Sequence, residues 1–166
     1  LGGRHGDTIN AGDGSNLVIG DSGRITAANT GVAQFADVPM TFGLIETIAF
    51  GDGGSDSITT GTGNDIVLGG DLDDAIIVSG GNNIVLGDDG QIDYVLVERG
   101  ATTGVQGADT DAADIDLIES LSTMSAGGVD NITANGGNDI ILGGRHGDTI
   151  NAGDGSNLVI GDSGRI

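Results

Sequence analysis

Between Gly51 and Leu86 an aspartate or asparagine recurs at every ninth residue, as Asp56, Asp65, Asp74 and Asn83. Each stands two positions before a β-branched residue, Ile58, Val67, Ile76 or Val85. The same cadence returns after Ser125 with Asp130, Asp139, Asp148 and Asn157, and it opens the chain with Asp7 and Asn16. Regularly spaced carboxylates and amides are oxygen donors suited to a hard cation, which needs six to eight oxygens at roughly 2.3–2.6 Å from side chains and turn carbonyls.

The elements that must position these residues follow from the rest of each unit. The units read GDGGSDSIT, TGTGNDIVL, GGDLDDAII and VSGGNNIVL, then SAGGVDNIT, ANGGNDIIL, GGRHGDTIN and AGDGSNLVI. The last two also occupy Gly2 to Ile19. Six residues rich in glycine make a turn, because glycine tolerates positive φ, and the last three make a short strand. Two units complete one coil, and coils stacked about 4.8 Å apart place odd and even strands in two parallel sheets.

These units resemble the nonapeptide GGxGxDxUx, with U apolar, of the repeats-in-toxin (RTX) family. The resemblance implies an all-β, right-handed parallel β-roll or β-solenoid with Gly/Asp-rich calcium-binding turns, and export by a type I secretion system. The family's metal role transfers to Asp7, Asp56, Asp65, Asp74, Asp130, Asp139 and Asp148, which occupy its aspartate position. Asn16, Asn83 and Asn157 replace that aspartate, while His5, His146 and Leu72 stand where the second turn glycine is usual. Sites at those turns are expected to be weaker or to lean on backbone carbonyls.

Ions are expected between turns of stacked coils. The pairs are Asp56 with Asp74, Asp74 with Asp88, Asp65 with Asn83, Asp130 with Asp148, Asp148 with Asp162, and Asp139 with Asn157. That gives about three calcium ions per block. Asp21 repeats the role of Asp162 in the first copy. The plainer alternative, that the aspartates only cap their own turns, does not require a fixed offset from the inward apolar residue. Asp109, Asp111, Asp114 and Asp116 have no such register and read as a solvated acidic loop.

The chain has 166 residues with 34 Gly, 25 Asp and Glu against 5 Lys and Arg, no Cys, and a net charge of −20. So acidic a chain folds only if its charge is neutralised, and bound cations are the simplest means. Nucleic acid is excluded as a partner for want of basic clusters. No apolar run approaches the roughly 20 residues of a membrane-spanning helix. The absence of cysteine is compatible with an extracellular protein held by metal instead of disulfides.

Leu1 to Ile25 is identical to Leu142 to Ile166, a shift of 141 residues. The chain thus reads as a slice of a tandem array, with β-roll residues at 1–25, 51–93 and 125–166 and connectors at 26–50 and 94–124. Each of the last two blocks closes on a similar turn, GDDGQI from Gly87 or GDSGRI from Gly161. Connector strands are expected at 40–50, 94–98 and 115–121, the last preferred over a helix across 111–121.

Inward columns should stack Ile58 on Ile76, Val67 on Val85, Ile132 on Ile150 and Ile141 on Val159. Even strands are apolar on both faces, as in Ile66 and Leu68, so a cover is required; the connector strands are expected to supply it, with a neighbouring chain as the alternative.

The functional expectation is a calcium-stabilised structural repeat of a long secreted or bacterial surface adhesin, sheath or fibre, folding after export where calcium is abundant. Its partners would be neighbouring copies of the repeat, with lateral self-association into fibres as a further option and no membrane insertion. The alternatives are an ice- or carbohydrate-binding adhesin module, or the secretion and folding module of an exported enzyme. Ice binding lacks its periodic Thr rank, sugar binding lacks an aromatic platform, and identical repetition disfavours the enzyme module. No catalytic constellation accompanies His5 or His146, so the segment is not expected to be an enzyme.

Overall fold

Alternation of β-branched and small residues between glycine turns produces fourteen strands among the described residues of the computed structural model, which are 1–28, 41–96, 113–122 and 126–166. Five of them, β1 (Thr8–Gly12), β5 (Ser57–Thr60), β7 (Ala75–Val78), β11 (Asn131–Ala134) and β13 (Thr149–Asn151), form one parallel sheet in that order. A second parallel sheet runs β2 (Leu17–Ile19), β6 (Ile66–Gly70), β8 (Ile84–Asp88), β12 (Ile140–Leu142), β14 (Leu158–Ile160). The chain is all-β, and each level of the stack contributes one strand to each sheet.

The expected inward columns hold: Ile58 pairs with Ile76, Val67 with Val85, Ile132 with Ile150 and Ile141 with Val159. They also run across the block boundaries, joining Ile9 to Ile58 and Ile76 to Ile132. Ile58, Val67, Ile76, Val85, Ile132 and Ile141 are fully buried between the two sheets. Blocks separated by a connector are therefore adjacent levels of one stack.

A third, antiparallel layer is built half from the connectors, as β4 (Phe42–Thr47) and β10 (Leu117–Ser120), and half from the ends of the blocks, as β3 (Gly23–Ala27) and β9 (Gly90–Asp93). One face presents a row of isoleucines, Ile25 to Ile45 to Ile92 to Ile118. These pack with Ile66, Leu68, Leu86 and Leu142 of the second sheet in one apolar cluster. The even strands are thus covered from within the chain. The opposite face carries an Arg24–Glu46 ion pair and a Gln91–Glu119 hydrogen bond across neighbouring strands.

Several boundaries differ from expectation. The block-closing turns GDSGRI and GDDGQI run straight into β3 and β9, because the residues after the glycine resume apolar alternation in Ile25 and Ile92. The strand expected at 94–98 ends instead at Asp93; Tyr94 is buried beside Phe42, ring centroids 6.3 Å apart, and serves as core. The outer two strands expected at 40–50 and 115–121 are shorter, at Phe42–Thr47 and Leu117–Ser120. Residues 97–98, Asp109 and Asp111 lie outside the described residues, whereas Asp114 is exposed and the Asp116 N–H donates to the Asp93 carbonyl at 2.9 Å.

The third layer keeps step with the other two. Ile166 and Ile118 exchange backbone hydrogen bonds, and the Ser120 N–H donates to the Gly164 carbonyl. The second copy of the β3 sequence thus adds onto β10. Between Ile9 and its copy Ile150 there are four strand steps, and the cover layer supplies four strands, β4, β9, β10 and the second β3 segment.

Turn position four shows what the glycines do. Leu72 and His146 hold φ of 72° and 80°, a left-handed conformation that a branched or bulky side chain adopts only at a cost. The Leu72 side chain is 48% exposed, so it gains little burial in return. Leu72→Gly is expected to stabilise the fold by roughly 0.5–1 kcal/mol, strain relief outweighing the added freedom of the unfolded chain. A urea midpoint at or below that of the parent under the same ionic conditions would refute this.

Candidate metal centres along the turns

Each turn that leads into a strand of the first sheet carries its aspartate at the same height as the one before. The backbone N–H of Asp7 donates to Asp56 Oδ1 at 2.7 Å, that of Asp56 to Asp74 Oδ1 at 2.7 Å, that of Asp74 to Asp130 Oδ1 at 2.8 Å, and that of Asp130 to Asp148 Oδ1 at 2.9 Å. The five form one column on one edge of the stack. Asp130, not Asp88, follows Asp74, because β11 pairs directly with β7 and the blocks stack without a spacer between them.

One oxygen of each carboxylate is thereby used, and the other is not. Oδ2 of Asp56, Asp74, Asp130 and Asp148 is buried without a hydrogen-bond donor, and Asp56, Asp74 and Asp130 are themselves at most 3% exposed. These oxygens face a second column, formed by the glycines that end the even strands. A Cβ added at Gly20 would fall nearer than 3.0 Å to both Asp56 Oδ2 and the Gly69 carbonyl. Gly69 meets Asp74 Oδ2 and the Gly87 carbonyl in the same way, Gly87 meets Asp130 Oδ2 and the Gly143 carbonyl, and Gly143 meets Asp148 Oδ2 and the Gly161 carbonyl.

At each level, then, an unpartnered carboxylate oxygen and a carbonyl oxygen converge where no side chain fits. This donor set suits a hard cation, which would relieve the buried oxygens. Among the described residues no three His, Cys, Asp or Glu side chains cluster closely enough to hold an ion by themselves. A column that places one carboxylate per level accounts for that, and backbone carbonyls would complete any site.

On the other edge the column alternates. The Asn16 N–H donates to Asp65 Oδ1 at 2.8 Å, that of Asp65 to Asn83 Oδ1 at 3.0 Å, that of Asn83 to Asp139 Oδ1 at 2.9 Å, and that of Asp139 to Asn157 Oδ1 at 2.9 Å. Oδ2 of Asp65 and Asp139 is also buried without a donor.

Asp21 and Asp88 occupy a third position. Asp21 accepts the N–H groups of Gly54 at 3.0 Å and Asp71 at 2.6 Å, pinning two successive turns. Asp88 does the same for Gly128 and Arg145. Both oxygens of each are committed to backbone donors, which makes these residues staples between turns. Asp162, the second copy of Asp21, is exposed, with no further level stacked on it.

Sequence reading missed a ladder at the fifth turn position, where Asn64 Oδ1 accepts from Asn82 N–H, Asn82 Oδ1 from Asn138 N–H and Asn138 Oδ1 from Ser156 N–H, at 2.8–2.9 Å. The recurrence of Asn at that position was the available signal. It also missed Asp89, 2% exposed beside Thr47 in the cover layer, for which the nonapeptide offers no register.

Burial dominates the electrostatics. It pushes Asp74 up to about 9, Asp130 to about 8, Asp88 to about 7, and Asp56 and Asp89 to about 6, opposed by backbone N–H donors, or by the Thr47 hydroxyl at Asp89, and reinforced by neighbouring carboxylates. Asp21 and Asp148 are raised for the same reason.

Comparison of the chain with family models, with curated proteins and with solved structures yields no match.

A carboxyl with a raised folded-state pKa binds its proton more tightly in the folded chain than in the unfolded one. The resulting stability is complete below the ordinary carboxylate value of roughly 4 and is lost as pH rises through the folded values. Without metal, the urea midpoint is therefore expected to rise as pH is lowered from about 9 toward 5, spanning the values of Asp74, Asp130, Asp88 and Asp56. A midpoint in chelator that is flat or falls over that range would contradict the assignment of these groups.

Proposed function

We propose that the chain is one period, with the start of the next, of a calcium-stabilised right-handed parallel β-roll that lengthens a secreted surface protein such as an adhesin, sheath or fibre. The role is structural, with no reaction carried by these residues. The observation that carries the reading is the column of Asp56, Asp74, Asp130 and Asp148, each with a buried, unpartnered Oδ2 facing a glycine carbonyl. Oxygens so placed are costly to bury alone and favourable around a divalent ion.

The calcium requirement makes folding conditional. A chain of net charge −20 would stay extended in a calcium-poor cytoplasm, pass an export channel, and fold where calcium is plentiful. The described residues include no helix long and apolar enough to cross a membrane. Resemblance to the RTX family points to the same order of events and to type I secretion.

The 141-residue identity supports a tandem array in which neighbouring copies are the partners. Leu17 and Val18 sit against β6, Val18 at 4% exposure, whereas their copies Leu158 and Val159 are 47% and 42% exposed at the far end of the stack. A following copy would cover Leu158 and Val159 as β6 covers the first pair.

The direct test is far-UV circular dichroism while calcium is titrated from a chelated start, with magnesium as control. The expected result is a cooperative gain of β signal with calcium alone; full β structure in excess chelator at neutral pH would refute the proposal. For the array, four strand steps per period at about 4.8 Å give a rise of about 19 Å per copy. Small-angle scattering of arrays with increasing copy number in calcium should show the long dimension growing by that increment at constant cross-section. Growth several times larger would mean that copies are separated by linkers.

A further inference from the structure

The two edges of the stack differ in a way that the repeat pattern alone does not announce. On the first edge all four intervals between levels are flanked by two carboxylates: Asp7 and Asp56, Asp56 and Asp74, Asp74 and Asp130, Asp130 and Asp148. On the second edge every interval has one carboxylate and one amide, through Asn16, Asp65, Asn83, Asp139 and Asn157.

The amides do more than dilute charge. Oδ1 of Asn83 and Asn157 accepts a backbone N–H, so the remaining terminal atom is the NH2 group, a donor that cannot ligate a cation. Asn16 Nδ2 donates to the carbonyls of Gly12 at 3.0 Å and Gly14 at 2.7 Å and to Asp65 Oδ1 at 2.9 Å. Asn83 Nδ2 donates to the Gly81 carbonyl at 3.1 Å and to Asp139 Oδ1 at 2.9 Å, and Asn157 Nδ2 to the Ala152 carbonyl at 2.9 Å. These hydrogens take up the turn carbonyls and carboxylate oxygens that a cation would otherwise gather.

We infer that calcium loads one edge only, between the all-aspartate turns, and that the Asn16–Asp65–Asn83–Asp139–Asn157 edge, whose turn carbonyls and carboxylate Oδ1 atoms are taken by amide hydrogen bonds, is closed to it. This inference rests on the calcium reading above and narrows it. It moves the ions away from Asp65 and Asp139, whose unpartnered Oδ2 atoms have amides, not carboxylates, above and below. Each interval on the open edge offers a cation twice the formal charge available on the closed edge, and ligand charge count is a principal determinant of affinity for calcium.

The test counts calcium per chain by equilibrium dialysis over a magnesium background and follows folding by circular dichroism, for the parent and three variants. The double substitution Asp65→Asn with Asp139→Asn keeps an acceptor at each position and is expected to bind as many ions as the parent, with its folding midpoint moved by less than about twofold. Asp74→Asn is expected to bind fewer ions and to need roughly tenfold more calcium to fold; Asp148→Asn, at the end of the column, replaces it should the Asp74 variant not fold. Asn83→Asp is expected to bind at least one ion more than the parent, on the edge it opens.

Loss of ions in the Asp65/Asp139 double variant would overturn one-edge loading while leaving the calcium reading intact. A parent chain that binds no calcium at all would overturn both.

Discussion

A carboxylate that is both stacked on its own kind and out of water is the constraint from which the rest of this structure follows. Neighbouring carboxylates one strand spacing apart repel by roughly 3 kcal/mol at an effective dielectric near 20. The hydrogen bond that each Oδ1 receives from the preceding turn returns a comparable amount, about 1.5–3 kcal/mol for a charged acceptor. The ladder therefore roughly breaks even on the Oδ1 atoms of Asp56, Asp74, Asp130 and Asp148 and leaves the Oδ2 of each without a donor. Everything else at that edge, including glycine at positions 20, 69, 87 and 143, bears on how those oxygens are reached.

The apolar architecture answers a different problem. A strand such as Ile66–Gly70 is apolar on both faces, and two stacked sheets bury only one of them. The isoleucine row of the third layer buries the other, and it does so at one cover strand per level. Because Ile25, Ile45, Ile92 and Ile118 are in register with each other, the cover layer adds no mismatch as the stack lengthens. Arg24, Glu46, Gln91 and Glu119 form a polar row across that layer's far face.

Much of this was legible in the sequence, and the reasons it failed elsewhere are specific. The nine-residue period dictates the turn and strand lengths, so the inward columns from Ile58 to Val159 and the need for a cover could be read directly. The direct stacking of Asp74 on Asp130 could not, since no local signal says that strands on either side of a connector pair with each other instead of standing apart. Strands β3 and β9 hid behind the GDSG and GDDG turns that introduce them. At the turns, residue type revealed the donors but not their partners. Asp21 and Asp88, read with the metal set, also accept N–H groups of residues 33 to 57 positions away, a pairing that no local pattern reveals. The carbonyl half of the candidate sites belongs to glycines whose importance lies in the missing Cβ, which composition cannot distinguish from flexibility.

The strands lie across the long axis of the stack, and their hydrogen bonds run along it. Tension applied between the two ends of an array would thus load those bonds head-on, in the manner of a zipper opened from its end, instead of shearing them together. Each level would give way separately and release its own length of chain, 18 residues at some levels and 49 or 56 where a connector intervenes, so that the array would act as an extensible tether: stiff until its terminal level yields, and then lengthening in alternating short and long steps that dissipate a pull while the interior levels keep their order.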